Sequence, residues 1–442
     1  MLGNHETRSG IVRRNIAGSF LIKGFSIAIS LILVPLTLRY VSSEVYGIWL
    51  TLSTAIFSIG FFDIGFSNGL KNKLAEAIAL GEREKGRSLV STTYALMGAI
   101  FIPLGIAAVF IAHYIDWPNL LNVSSKYSKE IEKSVYVIVA CLSIQMIINV
   151  INSVLTALQR VALASSFVVL GNLVSMVAIV LLIHFAPSSL FLLSATLSIS
   201  PIVITLLASL YFYRGQLRWL KPSIRYVSAV HVKDIFSLSY KFFILQIQVL
   251  VVGQTTNFLI AYISGPDDVA SFNVAYRYIG VSSMIFTLIL NPLWPAFTDA
   301  YTKKDFKWMK SIYRRLVKLC IASIVCVIIM VVIAPYVYHL WIGDSVYIAT
   351  SMSLLVGAYF IVQLWSSLHI MLINGIGCIK LQTYFAVFVS IIHIPISLLL
   401  GNFIGALGVV VSLALFNLIY ASFSTIQLRK VLSNTAKGIW IE

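Results

Sequence analysis

Apolar residues run along this chain in repeated blocks of about 20, parted by short stretches where Lys, Arg, Asn, Ser and Gly gather. At 1.5 Å per residue, a helix of that length crosses the roughly 30 Å hydrocarbon core of a bilayer. Block length and flanking charge predict twelve spanning helices, near 16–38, 45–66, 88–112, 134–157, 162–185, 189–213, 236–263, 269–296, 316–337, 347–373, 381–400 and 403–428. The expected fold class is an all-α polytopic membrane protein.

Composition strengthens this. Of 442 residues, 59% are apolar and 11% charged, against roughly 45–50% and 25% in soluble domains. That excludes a soluble enzyme, a nucleic-acid binder and a secreted disulfide scaffold. Cys141, Cys320, Cys326 and Cys378 lie in or at the ends of apolar blocks, without metal-ligand spacing. Arg8, Arg13 and Arg14 lead straight into a span too long for a signal h-region, so no cleavable signal is expected.

The net charge of +16 gains meaning from its placement. With the N-terminus inside, 26 of the 32 Lys and Arg residues fall in inner segments. Only Arg39, Lys126, Lys129 and Lys133 fall in outer ones, while Lys23 and Arg277 lie within spans. Such a bias predicts both termini in the cytoplasm. The longest basic inner segment divides the spans six and six. The expected organisation is an N-terminal six-helix lobe over 1–213, a basic cytoplasmic linker over 214–235 and a C-terminal six-helix lobe over 236–442. Tyr40-Val41-Ser42-Ser43-Glu44-Val45 after the first span is echoed by Tyr262-Ile263-Ser264-Gly265-Pro266-Asp267-Asp268-Val269 after the seventh. Six is even, so both lobes enter the membrane in the same sense. This is the parallel-repeat arrangement, with the substrate path between the halves.

No catalytic constellation appears. The segment Gly65-Phe66-Ser67-Asn68-Gly69-Leu70-Lys71 lacks P-loop spacing, and the seven histidines form no i, i+4 metal pair. Outer loops reach only about 20 residues, short for an extramembrane acid/base pair. What stands out is polar material inside the spans, aligned on helical faces. Gln145, Asn149, Asn152, Thr156 and Gln159 share a face of the fourth span, and Asn273, Arg277, Gly280, Thr287 and Asn291 one of the eighth. Lys23, Ser26, Ser30 and Thr37 align on the first, Gln246, Gly253 and Asn257 on the seventh, and Gln363, Ser367 and Asn374 on the tenth. Each residue alone can serve as interhelical hydrogen-bond glue. Five stripes together predict a hydrated cavity.

The intramembrane charges sharpen that expectation. A Lys, Arg or Asp near mid-bilayer costs roughly 2.5–3.5 kcal/mol on insertion scales, so it should face protein or water. Arg277 lies too deep to reach the interface comfortably, whereas the Lys23 stem can snorkel. Asp63, near the inner end of the second span, could cap a helix or pair with Lys71. A cationic, amide-lined cavity suits an anion that carries hydroxyl-rich groups such as sugars.

Several segments carry a resemblance. They are Val34-Pro35-Leu36-Thr37-Leu38-Arg39-Tyr40, Glu44-Val45-Tyr46-Gly47-Ile48-Trp49 and Asp63-Ile64-Gly65-Phe66. Further on come Asn273-Val274-Ala275-Tyr276-Arg277-Tyr278, Asn291-Pro292-Leu293-Trp294-Pro295-Ala296-Phe297-Thr298-Asp299-Ala300, and Asn374-Gly375-Ile376-Gly377 followed by Leu381-Gln382. In these, over most of its length, the chain resembles polysaccharide repeat-unit flippases of the Wzx or O-antigen translocase type, in the multidrug/oligosaccharidyl-lipid/polysaccharide exporter superfamily.

The resemblance implies two six-helix bundles around a central cavity, a MATE-like fold, in the cytoplasmic (inner) membrane. It implies alternating-access translocation of undecaprenyl-pyrophosphate-linked oligosaccharide for O-antigen, capsule or exopolysaccharide assembly. The implied partners are that lipid-linked sugar, membrane lipids, and the polymerase and chain-length regulator of the same pathway. No nucleic acid and no cofactor are implied, though coupling to a proton or sodium gradient is. Arg277, Lys23, Asn273, Asn291, Gln145, Asn149, Asn152 and Asn257 become the expected cavity residues, and Asp63 and Asp299 the gating or coupling carboxylates. Gln254-Thr255-Thr256-Asn257 departs from the acidic residue that some relatives carry there.

Three other functions compete with a flippase. A MATE-like drug/cation antiporter needs an acidic cavity, and Asp63 is the single candidate intramembrane carboxylate of the spans. A membrane transferase needs larger outer loops, and a scaffold needs no polar stripes. The topology is directly testable in a chain whose four native cysteines are replaced by serine. Single cysteines placed at Ser223 and Ser125 should react oppositely with an impermeant thiol reagent, Ser125→Cys from outside and Ser223→Cys only from within. Equal labelling from outside would overturn the inside placement of the termini.

Overall fold

The computed structural model describes residues 8–42, 45–49, 52–53, 65–121, 123–342 and 347–441. Among these, all regular structure is helical. This is the expected outcome where lipid cannot hydrogen-bond a peptide group and each segment must satisfy its own backbone. Among the described residues, ten helices are long and apolar enough to cross a membrane, and they coincide with the third to twelfth predicted spans. The first predicted span lies on a 33-residue helix, α1 (Arg8–Tyr40). Most of the second, including 54–64, falls outside the described residues.

The chain divides into two compact units, Met1–Ser239 and Tyr240–Glu442. The first contains α1, α2 (Phe66–Ala79), α3 (Arg83–His113), α4 (Ser128–Ile148), α5 (Val150–Ala157), α6 (Val161–Phe185) and α7 (Leu190–Arg214). The helix α8 (Ala229–Ser264) crosses from the first unit into the second. The second continues with α9 (Pro266–Leu290), α10 (Leu293–Thr302), α11 (Phe306–Ile342), α12 (Thr350–Ile376), α13 (Lys380–Ile404) and α14 (Ala406–Leu432).

In the first unit α1 packs on α6, α4 on α3 and α7, and α2 on α3 and α5. Two apolar clusters hold these helices. One is built on Phe66, Leu70, Leu74, Leu89, Ile151 and Leu155, the other on Tyr40, Ile131, Ile138, Ile179 and Leu193. Glu130 closes the start of α7, accepting from Ser189 Oγ at 2.9 Å and from Leu190 N at 3.1 Å. The basic segment 214–235 is docked rather than extended. Its Ser223 and Ser228 amides donate to Ser91 Oγ and Thr92 Oγ1 on α3, and Ser88 Oγ donates to Tyr226 O at 2.7 Å.

In the second unit α12 packs against α9, α10, α11 and α14, and α13 against α14. The eighth predicted span breaks at Asn291-Pro292, because Pro292 has no N–H to continue the ladder and α10 sets off anew. That break carries α10 onto α12. Thr298 Oγ1 donates to Gly375 O at 2.5 Å, joining two of the segments that carry the family resemblance. Gly375 permits the contact, since a Cβ there would stand 2.7 Å from Trp294 O and 3.1 Å from Phe297 Cβ. Large aliphatic and aromatic side chains left exposed on single helices, such as Ile321, Val325, Ile328, Val332 and Tyr336 on α11, form the surface offered to lipid.

The Gly375 contact yields a stability test. Gly375→Ala pushes a methyl against a backbone carbonyl that cannot swing aside, which should cost about 1–3 kcal/mol. A lowered melting temperature in purified protein is expected, and a temperature equal to that of the unmodified chain would show that α10 and α12 do not approach so closely.

Candidate functional site

Helical periodicity converts sequence stripes into surfaces, and in the second unit several of these surfaces meet. They enclose a cavity of about 480 Å³. From α8 come Gln248, Thr256 and Asn257, and from α9 Asn273 and Tyr276. From α12 come Tyr359, Gln363, Ser366, Ser367 and Asn374, from α13 Gln382, and from α14 Asn417 and Tyr420. Thus the predicted stripes of the seventh, eighth and tenth spans converge through Asn257, Asn273, Gln363, Ser367 and Asn374. Among the described lining residues there is no Asp, Glu, Lys, Arg or His.

The polar groups of this cavity are ordered by a few bonds. Asn273 Nδ2 donates to Asn257 Oδ1 at 3.0 Å and to Val269 O at 2.8 Å. Tyr420 Oη donates to Gln382 Oε1 at 3.3 Å, and its ring stacks on Phe385 at 5.1 Å. Tyr276 packs between Tyr359 and Phe360, with ring centroids 5.9 and 4.9 Å away. Gln363 Oε1, Ser366 Oγ and Gln382 Nε2 are buried without a hydrogen-bond partner among the described residues. Nearly all buried polar groups in folded proteins are paired, so this lining presents acceptors and donors to whatever fills it.

The stripe of the fourth span behaves differently. Gln145 Nε2 and Asn152 Nδ2 both donate to Asn149 Oδ1, at 2.7 and 3.2 Å, and Gln145 reaches Thr205 Oγ1 on α7 at 3.5 Å. Thr156 Oγ1 donates back to Asn152 O at 2.7 Å. The predicted span is broken here, with α4 ending at Ile148 and α5 starting at Val150. These amides bond one another across the break, as interhelical glue does, while Gln145 Oε1 and Asn152 Oδ1 stay buried without a hydrogen-bond partner among the described residues.

Arg277 is exposed on α9, one turn beyond Asn273, and does not line the cavity. Lys23 is half-buried on α1. Neither has a carboxylate partner among the described residues. Asn291 is exposed at the C-terminal cap of α9. Asp299 pairs with Lys303 Nζ at 2.7 Å, one helical turn away. Asp63 lies outside the described residues. Sequence reasoning missed Gln248, Tyr359, Asn417 and Tyr420. A usable signal existed for the last two, since Leu413, Asn417 and Tyr420 stand at i, i+4 and i+7 and all line the cavity.

Comparison with known proteins adds an independent line. The family described as "Polysaccharide biosynthesis protein" matches residues 12–301. A Salmonella typhimurium protein named "Putative O-antigen transporter" is 25% identical over 165 residues, covering 35% of this chain and 38% of that protein. A Salmonella typhi protein of the same name is 22% identical over 372 residues, covering 83% of each. Among solved structures, a Vibrio cholerae MATE transporter shares 13% identity at a TM-score of 0.73, with 98% of each chain covered. A MOP superfamily transporter from Pyrococcus furiosus shares 14% at 0.74, again with 98% of each covered. An outward-facing multidrug resistance MATE family transporter shares 15% at 0.76, with 97% of each covered. At these identities the structural likeness is one of fold.

The two polar clusters make opposite predictions. Asn149→Leu strips Gln145 and Asn152 of their common acceptor, so stability should fall by about 1–3 kcal/mol, read from thermal unfolding of the purified chain. Gln363→Leu removes an atom that bonds nothing and should leave unfolding nearly unchanged. The reverse pattern would exchange the roles assigned to the two clusters.

Proposed function

This chain belongs to the polysaccharide biosynthesis protein family, and on that premise we propose that it is a lipid-linked oligosaccharide flippase. It carries undecaprenyl-pyrophosphate-linked repeat units across the cytoplasmic membrane by alternating access, for O-antigen, capsule or exopolysaccharide assembly. The observation that carries this proposal is the neutral, amide- and tyrosine-lined cavity of the second unit. Sugar hydroxyls both donate and accept, and side-chain amides do the same. Tyrosine rings offer flat apolar faces with a polar edge, suited to the mixed surface of a pyranose. A volume of about 480 Å³ falls within the roughly 300–1,000 Å³ of small-ligand sites. The buried unpaired atoms of Gln363, Ser366 and Gln382 supply the recognition groups.

The same lining weighs against a drug/cation antiporter. An organic cation gains little from a cavity whose described residues carry no carboxylate. The pyrophosphate needs a cation instead, because an unpaired anion in a low-dielectric path is prohibitive. We assign that task to Arg277, with sugar recognition left to the amides of the same unit. Affinity has to stay moderate so that the load is released at the far leaflet. Transport draws on a proton or sodium gradient, and the flippase hands its cargo to the polymerase and chain-length regulator of the same pathway.

Proteoliposomes containing a defined undecaprenyl-pyrophosphate oligosaccharide test the proposal, with sugar exposed on the far leaflet as readout. Gln363→Ala and Asn417→Ala should slow translocation about tenfold or more at unchanged protein level. Arg277→Ala should abolish it, while Arg277→Lys keeps a fraction, since charge survives and bidentate geometry does not. Collapsing the ion gradient should slow the unmodified protein. Failure of that protein to move any lipid-linked sugar, together with export of an organic cation, would replace this function with the antiporter.

A further inference from the structure

A second cavity, of about 660 Å³, lies at one end of the first unit, where three helix connections come together. The α2–α3 turn contributes Gly81 and Arg83, the α5–α6 turn Leu158 and Arg160, and the segment after α7 Gln216, Leu217 and Trp219. We propose that this cavity is a binding site for a phosphate anion, presented as the headgroup of a lipid at the membrane interface. The site is separate from the sugar cavity and does not depend on what that cavity carries.

Three features support the assignment. The first is charge. Arg83 and Arg160 both line the cavity, and among the described residues neither has a carboxylate partner. Of the acids on neighbouring turns, Glu82 pairs with Lys85 at 2.8 Å and Glu76 with Lys73 at 3.2 Å, while Glu84 is exposed and does not line the cavity. Two guanidinium groups in one cavity without a counter-ion form an arrangement that calls for an anion. Their planar forks match phosphate oxygens better than an ammonium would.

The second feature is that the arginines are held. Arg160 Nη1 donates to Gln216 Oε1 at 2.7 Å, and the Arg83 guanidinium lies 5.9 Å from the centre of the Trp219 ring. The turn that carries Arg160 is fastened from outside. Asn15 of α1 donates to Gln159 O at 2.5 Å, and its Oδ1 accepts from Ala162 N at 3.2 Å. This clasp keeps Gln159 at φ 60, a left-handed conformation uncommon for a residue with a side chain.

The third feature concerns the source of the phosphate. The other walls are apolar, formed by Ile78, Leu158, Leu217 and the Trp219 ring. The site stands where α3 and α6 begin and α5 and α7 end, which is the level of lipid headgroups on one side of a spanning bundle. A free phosphate needs only the arginines. A lipid phosphate also uses the apolar walls for its first carbons, and this lining offers both.

Purified full-length chain in detergent micelles, titrated with dioctanoyl phosphatidic acid, dioctanoylglycerol and inorganic phosphate, tests the site. The unmodified chain should bind the phosphatidic acid and not the dioctanoylglycerol. The pair Arg83→Gln with Arg160→Gln should weaken that binding about tenfold or more. Arg214→Gln, on the exposed last turn of α7 outside the cavity, should leave it nearly unchanged. Should the glutamine pair not fold, Arg83→Lys with Arg160→Lys keeps both charges and should bind with an intermediate affinity. Competition by millimolar inorganic phosphate would support the phosphate site and identify free phosphate as sufficient. Its absence would support the lipid headgroup. Equal affinity in the glutamine pair and the unmodified chain, or equal binding of dioctanoylglycerol and phosphatidic acid, would overturn the proposal.

Discussion

A polar group carried into hydrocarbon on a helix finds no water there, so it has to be satisfied inside the protein or line a wet space. Much of this structure follows from how different side chains meet that demand. Serine and threonine meet it locally, by donating to the carbonyl one turn back. Thr93 bonds Leu89 O at 2.9 Å, Ser209 bonds Thr205 O at 2.8 Å and Thr256 bonds Val252 O at 2.6 Å. A hydroxyl in a span therefore says little about function. Asparagine and glutamine carry an acceptor and two donors, more than the local backbone can absorb. Their distribution is the informative one.

Two outcomes are visible for these amides. Gln145, Asn149 and Asn152 sit next to one another at the break between α4 and α5 and donate to a shared acceptor, with Gln145 Oε1 and Asn152 Oδ1 left without partners among the described residues. Asn257, Asn273, Gln363, Gln382 and Asn417 come from five helices and meet around a shared space, where some of their atoms are left without partners. The first arrangement ties neighbouring turns together. The second lines one space with amides from separate helices, and the proposed recognition of sugars draws on that feature.

The polar ends of the helices obey a related constraint. The basic residues at one end of the first unit are of the kind that a topology rule counts, and some of them are taken into structure. Arg87 donates to Lys221 O at 3.0 Å and covers the Tyr226 ring at 4.0 Å, holding the segment after α7 against α3. Arg83 and Arg160 are held in position without being neutralised. Residues that count alike in a topology rule thus separate into fasteners and candidate ligands once their partners are known.

Sequence by itself determined the helical class and the positions of the third to twelfth spans, because hydrocarbon thickness and helical rise leave little freedom in how an apolar block folds. It also determined the faces on which Asn257, Asn273, Gln363 and Asn374 lie, since helical period is the same in any context. Family membership was legible too, in segments whose residues later proved to touch, such as Thr298 and Gly375. Only the tertiary structure decided which stripes share a cavity. Periodicity treats Gln145 and Gln363 alike, and the difference lies in what the neighbouring helix brings. It likewise showed Arg277 exposed beside a cavity whose described lining is uncharged, and drew in Asn417 and Tyr420 from a helix that carried no recognised polar stripe. Those outcomes rest on rotations and close approaches between helices, which are set by packing among residues far apart in the chain.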